Sequence, residues 1–178
     1  MKLVTPLLFS ALILGACSET PYALGPAGRP PPSYNPGPPA PFEAQDFAWS
    51  TQNGGASIDG VLAFRAQGLA YRCAGEDVIL TPETPWSRRR MIILYGSAAS
   101  AEVPVSVVRA REPTGPTADY ARYVRRATCD AANRFHFHDL PAGRWFVITV
   151  AKPVGGGEGV AVMRRVVTGD GPRFVTLG

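Results

Sequence analysis

The stretch CDAANRFHFHDLPAG, residues 129–143, decides the fold of this chain of 178 residues. Residues 134–138 in its middle alternate strictly between polar and aromatic side chains, and such alternation is typical of a β-strand with one buried face. Successive side chains of a strand point to opposite sides, so the two phenylalanines share one side and the two histidines share the other. We therefore expect a strand that buries Phe135 and Phe137 and exposes His136 and His138.

Turn signals flank this strand on both sides. Residues 130–133, with Asp130 and Asn133, predict a turn before it, and the Leu-Pro-Ala-Gly sequence of residues 140–143 predicts a turn after it. Residues 145–151 then form an aromatic and β-branched run, a composition that favours a second strand. The region thus predicts two neighbouring strands joined by a tight turn.

The rest of the domain repeats this pattern of short strands between turns. Its last two strands are separated by Thr-Gly-Asp-Gly at residues 168–171, which is a hairpin signal. Many short strands with frequent turn signals favour an antiparallel β-sandwich, which is an all-β fold. Outside the central region we expect strands over residues 57–66, 69–73, 77–80, 103–110, 120–129, 160–167 and 174–177.

One segment, residues 85–95, predicts a short helix instead of a strand. Thr84 and Pro85 form an N-cap followed by proline at the first helical position. Apolar side chains then recur at helical spacing before Gly96, a natural helix terminator. We therefore expect an all-β domain with one short helix.

The predicted helix carries three consecutive arginines, Arg88, Arg89 and Arg90. A run of charges on a helix usually forms a solvated face. The alternative is that the three guanidinium groups bind an anionic surface, such as lipopolysaccharide phosphate or an acidic polymer. These arginines are the candidate residues for such a contact.

Three pieces of the chain together resemble a known family: residues 68–82, residues 129–143 and the strand that begins at Trp145. They are similar to the carboxypeptidase regulatory-like domain, whose fold is a seven-stranded, transthyretin-like (prealbumin-like) antiparallel β-sandwich. The resemblance covers residues 60–177. The family's hallmark is Phe-x-Phe, then Leu-Pro-x-Gly, then an aromatic strand, and it falls here on Phe135, Phe137, Leu140, Pro141, Gly143, Trp145 and Phe146.

The resemblance implies an accessory, adhesive or spacer module rather than a particular chemistry, because domains with one fold serve many functions. The physical chemistry of the segment agrees with this fold, since Phe135 and Phe137 face the core and Gly143 permits a tight turn. The predicted helix over residues 85–95 and the long segment over residues 97–119 depart from a minimal module of this family. The topology of residues 97–119 therefore stays open.

The amino terminus resembles a bacterial lipoprotein signal peptide. Lys2 precedes a short apolar run over residues 3–13, and Leu-Gly-Ala-Cys at residues 14–17 has the form of a lipobox. The run is shorter than the roughly 20 residues of a membrane-spanning helix, so it favours a processed signal. The resemblance implies cleavage after residue 16 and acylation of Cys17, which anchors a protein stably in a bilayer. An ordinary secretory signal with a chance cysteine is the alternative.

Ser18 follows the cysteine of the lipobox. In lipoproteins an aspartate at this position usually marks retention in the inner membrane, so Ser18 resembles an outer-membrane address. We therefore expect a lipid anchor in the outer membrane, with the domain in the periplasm or exposed at the cell surface.

A proline-rich tether follows the anchor. Residues 21–41 contain nine prolines, which exclude both a helix and the interior of a sheet. This composition predicts a disordered, extended spacer of polyproline II type, and a docking ligand at residues 36–39 is the alternative. The chain thus divides into a signal peptide (1–16), the lipidated cysteine with its linker (17–42) and a β-sandwich domain (43–178).

Once Cys17 is acylated, Cys73 and Cys129 are the remaining cysteines of the chain. An even number of cysteines in an oxidising periplasm favours a disulfide between them. Two free buried thiols, or a redox-active or nucleophilic cysteine, are the alternatives. We expect the disulfide to be structural.

The charge of the chain argues against nucleic acid as a partner. The formal net charge is only +4, and the basic residues do not form a patch interleaved with aromatic residues. The expected partners are the lipid bilayer, through Cys17, and an envelope polymer or a protein. The oligomeric state stays open.

His136, His138 and Asp139 are the one constellation that invites an enzymatic interpretation. Two histidines at positions i and i+2 of a strand share a face and can chelate zinc, with Asp139 or a distant carboxylate as a third ligand. The alternative, which we favour, is that they fill exposed polar positions, because no second cluster supplies the missing ligands. No Gly-x-Ser-x-Gly elbow indicates a serine hydrolase. The sequence therefore predicts a non-enzymatic binding or structural module without a cofactor, with a small metal-dependent hydrolase using both histidines as the alternative.

Overall fold

The computed structural model describes residues 41–112 and 118–178 of the chain. The predicted signal peptide, Cys17 and the linker up to residue 40 lie outside the described residues. The described part is mostly β-strand, as the sequence predicts. Its ten strands are β1 (Ala56–Leu62), β2 (Arg65–Ala66), β3 (Leu69–Arg72), β4 (Asp77–Pro82), β5 (Ser100–Pro104), β6 (Arg125–Thr128), β7 (Arg134–Leu140), β8 (Gly143–Pro153), β9 (Val160–Thr168) and β10 (Pro172–Leu177).

Short helices accompany these strands. The longest, α2 (Pro85–Tyr95), has the bounds that the sequence predicts. The Thr84 hydroxyl accepts a hydrogen bond from the Ser87 amide at its start, and Gly96 ends the helix with a φ of 75°. The other helices are α1 (Ala44–Phe47), a 3-10 helix (Ala48–Thr51), α3 (Val105–Ala110) and α4 (Ala118–Ala121). None of the helices in the described ranges is long and apolar enough to span a membrane.

The strands form two sheets. In the small sheet, of order β10-β1-β7, strand β1 is antiparallel to β7 and parallel to β10. In the large sheet, β8 pairs with β9 along most of its length, with β4 near its beginning and with β3 near its end. Strand β5 extends this sheet beyond β9, β6 extends it beyond β4, and β2 pairs with β3.

The main core lies between the two sheets and follows the alternation of the strands. Phe135 and Phe137 of β7 are buried, which confirms the face predicted for them, and Trp145 of β8 is fully buried beside them. The adjacent Phe146 points to the other side of the large sheet, where it packs with Met91 of α2. Because apolar layers cover both faces of β8, this strand is nearly continuously buried.

Cys73 and Cys129 form a disulfide, as predicted, with an S–S distance of 2.04 Å and a Cα–Cα distance of 5.6 Å. Both cysteines are buried in the main core. The bridge joins the residue after β3 to the residue after β6. The Gly75 amide donates to the Cys129 carbonyl at 2.9 Å, and the Cys129 amide donates to the Glu76 carbonyl at 3.0 Å. The disulfide therefore reinforces a backbone contact between distant parts of the chain.

The prediction of seven antiparallel strands and one short helix is wrong in its details. The predicted strand over residues 57–66 divides into β1, which pairs with β7 and β10, and β2, which pairs with β3 through a turn at Gln67 and Gly68. The pairing of β1 with β10 is parallel, because the chain crosses from the large sheet to the small one after β9. The described residues thus contain ten strands and four α-helices.

The predicted strand over residues 103–110 is also wrong. Strand β5 ends at Pro104, and the chain continues as α3. The Val105 amide donates to the Gly159 carbonyl at 3.0 Å, and the Ser106 amide donates to the Glu158 carboxylate at 2.9 Å. These contacts with a loop distant in sequence satisfy the first amides of the helix, so they override the strand preference of the valines.

The predicted strand over residues 120–129 is shorter in the structure. Helix α4 occupies its beginning, and only β6 is extended. The rings of Tyr120 and Tyr123 pack against Phe47, with centroids 6.0 Å and 5.0 Å away. This aromatic packing against the amino-terminal segment holds residues 120–123 out of the sheet.

Candidate functional site

The outer face of the small sheet carries the candidate site. Asp59, on the central strand β1, pairs with Phe174 of β10 on one side and with His136 of β7 on the other. Ile58, Phe137 and Val175, each next to one of these residues in sequence, are buried in the core, so the three side chains point away from it. A second outward row, two residues along the strands, consists of Thr176, Val61 and Arg134.

The two rows line an open groove with a volume of about 730 Å³, which we call the sheet groove. The three strands of the small sheet form its floor. Strand β6 and the turn that follows it border the groove beside β7, through Ala127, Thr128 and Asp130. The sheet groove thus extends across the strands of the small sheet to the edge of the large one.

Phe174 is the most exposed large apolar side chain of the described residues, with 79% of its surface open to solvent. The buried side chains of Val175 and Leu177 anchor the strand from below. The exposed ring therefore adds nothing to the core. An exposed aromatic ring among polar groups in a concave surface is typical of a ligand-binding site.

His136 and His138 both face solvent, as predicted, with side chains 51% and 74% exposed. Each imidazole contacts its own carboxylate. His136 Nδ1 lies 2.6 Å from Asp59 Oδ1, and His138 Nδ1 lies 2.6 Å from Asp139 Oδ2. The two rings stack with centroids 6.0 Å apart. Because Nδ1 of His136 is engaged by Asp59, its Nε2 atom is the one left to exchange hydrogen bonds with a ligand.

Among the residues that the structure describes, no third metal ligand lies beside both histidines. In residues 41–112 and 118–178 no group of three or more histidine, cysteine, aspartate and glutamate side chains is placed to hold a metal ion. His136 and His138 engage two different carboxylates, Asp59 and Asp139, instead of sharing a common set of ligands. The geometry therefore offers two separate imidazole–carboxylate pairs.

The double variant His136→Ala/His138→Ala is expected to fold normally. Both side chains are exposed, and exposed ion pairs contribute about 0–1 kcal/mol, so the free energy of unfolding should change by less than about 1 kcal/mol. Urea unfolding monitored by tryptophan fluorescence measures this change. A loss above about 2 kcal/mol, or stoichiometric zinc in the wild type that is absent from the variant, would contradict the expectation and favour the hydrolase.

Arg134 supplies a cationic group at the β7 end of the sheet groove. Its backbone amide is fixed, because Asp130 Oδ1 accepts hydrogen bonds from the amides of Ala132 and Arg134, both at 2.8 Å. Its guanidinium group makes no ion pair with any residue that the structure describes. Arg134 thus has an anchored backbone, and its guanidinium group is open to a ligand.

The three arginines of α2 lie on another part of the molecule. The Arg88 guanidinium lies 2.7 Å from Glu83 Oε1, and Arg90 pairs with Glu112 and lies over the Trp86 ring. Arg89 is half-buried, and its Nε atom has no hydrogen-bond partner among the described residues. The structure therefore pairs two of the three candidate arginines with carboxylates, and Glu83 also pairs with Arg165.

A second, smaller cavity of about 310 Å³ lies between α2, α4 and the large sheet. Tyr95 and Tyr120 line it, and the Tyr120 hydroxyl lies 2.7 Å from Thr81 Oγ1. Burial raises the pKa of Tyr95 to about 12, and the nearby Tyr120 makes a smaller contribution in the same direction. Burial also raises the pKa of Tyr120. Both phenols are therefore neutral at physiological pH and act as packing and hydrogen-bonding groups.

The alternation of residues 134–138 predicted an exposed His136, but it gave no sign of the residues that lie beside it in this site. Asp59 and Phe174 are distant from His136 in the chain, and only the register of three strands brings them into one row. The alternation of residues 174–177 could have indicated Phe174, because it places this ring on the side opposite Val175 and Leu177.

A solved structure with a similar fold comes from Pseudomonas aeruginosa. It is the crystal structure of a protein provisionally described as carbohydrate-binding, and it matches this chain with a TM-score of 0.55 and 25% sequence identity. The match covers 76% of this chain and 96% of that chain. No protein-family model and no curated protein matches the chain, so the resemblance to the carboxypeptidase regulatory-like family stays a prediction. This β-rich domain is therefore similar in structure to a protein described as carbohydrate-binding.

Proposed function

We propose that the domain binds carbohydrate in the sheet groove. The observation that carries the proposal is the exposed Phe174 ring in an open groove, one strand away from the Asp59–His136 pair. The similarity to a protein described as carbohydrate-binding supports it.

The chemistry of the groove suits a sugar. One face of a pyranose ring presents C–H groups, and the electron-rich face of an aromatic ring such as Phe174 attracts them. The hydroxyl groups around the sugar both donate and accept hydrogen bonds. Asp59 offers acceptor oxygens, Arg134 offers donors, and His136 Nε2 serves as either according to its protonation state. The groove therefore combines an apolar platform with polar groups that can orient a sugar.

Removal of the aromatic platform is expected to abolish most of the binding. Phe174→Ala should weaken retention on immobilised polysaccharides by about tenfold or more, which corresponds to about 1.4 kcal/mol. The measurement is retention of the purified domain on chitin, cellulose, starch and peptidoglycan. Because Phe174 lies outside the core, the stability of the variant should match that of the wild type.

Val167→Ala is the matched control for this experiment. Val167 is also an exposed apolar residue, 51% accessible, but it belongs to β9 of the large sheet and does not line the sheet groove. Its replacement should leave retention unchanged. If Phe174→Ala and Val167→Ala bind equally well, the sheet groove is not the binding site.

We further propose that binding occurs without catalysis. The similar structure is described as a binding protein, and each histidine of the described region is held by its own carboxylate rather than grouped around a shared metal site. Accessory modules of this kind position a protein on a polymer, and chemistry is left to other domains.

We also propose that the domain is an outer-membrane lipoprotein of the carboxypeptidase regulatory-like family, anchored through Cys17 and displayed on the tether over residues 17–42. The lipobox at residues 14–17 supports the anchor, and the Phe-x-Phe and Leu-Pro-x-Gly sequences support the family. Carbohydrate binding suits this location, because the cell envelope is rich in polysaccharides.

Cys17→Ser should abolish acylation and release the protein from membranes. The thiol of Cys17 is the atom that would receive the lipid, and a serine hydroxyl does not replace it in this reaction. Metabolic labelling with a radioactive fatty acid, followed by membrane fractionation, measures both effects. The lipoprotein proposal fails if the wild-type protein takes up no fatty acid.

A further inference from the structure

We infer that the sheet groove binds an extended stretch of a polysaccharide that lies across the strands, rather than a single terminal sugar. This inference rests on the carbohydrate-binding function proposed above. It adds the number of sugar units that the groove contacts and the direction in which they lie.

The dimensions of the groove support an extended ligand. Across the strands, its lining runs from Phe174 on β10, through Asp59 on β1 and His136 on β7, to Thr128 at the end of β6. Neighbouring strands of a sheet lie about 4.8 Å apart, so the three strands of the small sheet alone span about 10 Å. This span corresponds to two linked pyranose rings, and the border at β6 leaves room for a third.

Along the strands the groove is short. Its outward-facing side chains on the small sheet occupy only two successive outward positions on each strand, such as Asp59 and Val61 of β1. Two residues of a strand extend over about 7 Å, which is less than the span across the sheet. The long axis of the groove therefore crosses the strands, and a linear polysaccharide fits it in that direction.

The two ends of this axis differ in chemistry. Phe174 at the β10 end offers an apolar ring face, whereas His136 and Arg134 at the β7 end offer polar groups only. Asp59 lies between them and is held by His136 at 2.6 Å. One sugar unit therefore stacks on Phe174, and the next units form hydrogen bonds with the Asp59–His136 pair and with Arg134.

The test is the dependence of affinity on chain length. The probes are chito-, cello- and malto-oligosaccharides of one to six units, titrated calorimetrically into the purified domain. For the series that binds, affinity should rise at least tenfold from the monosaccharide to the trisaccharide and then level off. A monosaccharide that binds as tightly as the hexasaccharide would overturn the inference while leaving the proposed function intact.

Two variants locate the sugar units along the axis. Phe174→Ala should weaken binding of every length, because it removes the platform of the first unit. His136→Ala should weaken the trisaccharide at least threefold and leave the monosaccharide unchanged, because it acts on the next unit. His138→Ala is the matched control: it removes the neighbouring imidazole, which does not line the groove, and should change no affinity.

The outcomes separate the inference from the proposed function. If His136→Ala and His138→Ala behave alike towards the trisaccharide, the chain does not lie across the strands. If no oligosaccharide binds and no polysaccharide retains the domain, the carbohydrate-binding function itself fails, and the inference fails with it. All three residues are exposed, so unchanged thermal unfolding of the variants should confirm that differences in affinity reflect lost contacts.

Discussion

Loss of the disulfide between Cys73 and Cys129 is expected to lower the free energy of unfolding by about 2–5 kcal/mol, the range measured for native disulfides of small secreted domains. The two cysteines are separated by 56 positions in the sequence. The chain-entropy model assigns a loop of this size about 4 kcal/mol, because the bridge restricts the unfolded chain. Urea unfolding of Cys73→Ala/Cys129→Ala against the wild type measures the loss.

Reduction of the wild-type protein separates the bridge from the packing of its sulfur atoms. Both cysteines are buried, so alanine at these positions also leaves a small void. Dithiothreitol breaks the bridge and keeps both sulfur atoms. The urea midpoint of the reduced wild type should therefore lie between those of the oxidised protein and the double variant. The double variant should not respond to the reductant. Equal urea midpoints for oxidised and reduced wild type would show that the bridge contributes no stability.

The parts of the fold that the sequence predicted well depend on local signals. Helix α2 has its predicted bounds, because the Thr84 cap, Pro85 and Gly96 specify its ends within the segment itself. The outward histidines of β7 are confirmed for the same reason, since strict alternation leaves one choice of buried face.

The errors fall where distant residues decide the local conformation. Helix α3 forms from a valine-rich segment because Glu158 and Gly159 satisfy its first amides. Residues 120–123 leave the sheet because Phe47 packs against them. The parallel pairing of β1 with β10 joins strands from opposite ends of the domain. A pattern in one segment does not contain these partners.

The candidate site also combines a residue that local sequence predicted with partners that are distant in the chain. His136 was recognised as an exposed polar residue, but its place in the sheet groove depends on two strand registers that bring Phe174 and Asp59 beside it. The function inferred from the family resemblance was a binding or structural module, and the sheet groove is the location that we propose for the binding. The sequence alone did not indicate which face of the domain would bind.

Gly143 has a role that the sequence did not predict. It was expected to permit a tight turn, yet its backbone does not have a positive φ, whereas that of Asp139 does, at 53°. A Cβ atom on Gly143 would lie 2.1 Å from Cζ3 of Trp49. The glycine is therefore needed because the Trp49 ring packs directly against its backbone.

Gly60→Val is expected to destabilise the domain by about 3 kcal/mol or more. Gly60 of β1 pairs with Phe135 of β7, and a Cβ atom on Gly60 would lie 1.9 Å from Cζ of the Phe135 ring. Phe135 is 4% exposed and sits in the main core, where its ring packs against that of Phe137 with centroids 6.1 Å apart. The valine must therefore expel the ring or separate the two strands. Urea unfolding measures the loss.

Gly55→Ala is the matched control, because a Cβ atom there would meet nothing within 4 Å. Its backbone φ is not positive either, so alanine should change the free energy of unfolding by less than about 0.5 kcal/mol. A similar loss for the two variants would mean that the Phe135 contact is not the cause.

A double-mutant cycle tests the mechanism of this destabilisation. Phe135→Ala alone should lower the free energy of unfolding by about 3–5 kcal/mol, the range for replacing a buried phenylalanine with alanine. In the Phe135→Ala background, Gly60→Val should lower the free energy of unfolding only slightly or even raise it, because the valine then fills space that the ring has left. Additive losses would contradict direct overlap between the two side chains.

The effect of Gly60→Val should extend to ligand binding in the sheet groove. His136 follows Phe135 on β7, and its contact with Asp59 depends on the register that the Gly60–Phe135 pair helps to fix. Gly60→Val should therefore weaken binding of a trisaccharide even under conditions where the variant remains folded, whereas Gly55→Ala should not. Unchanged trisaccharide affinity in folded Gly60→Val would show that the groove does not depend on the packing of the ring beneath it. The core of this domain and its proposed binding face are in this view two sides of one three-stranded sheet, so a residue that faces inward can determine what binds outside.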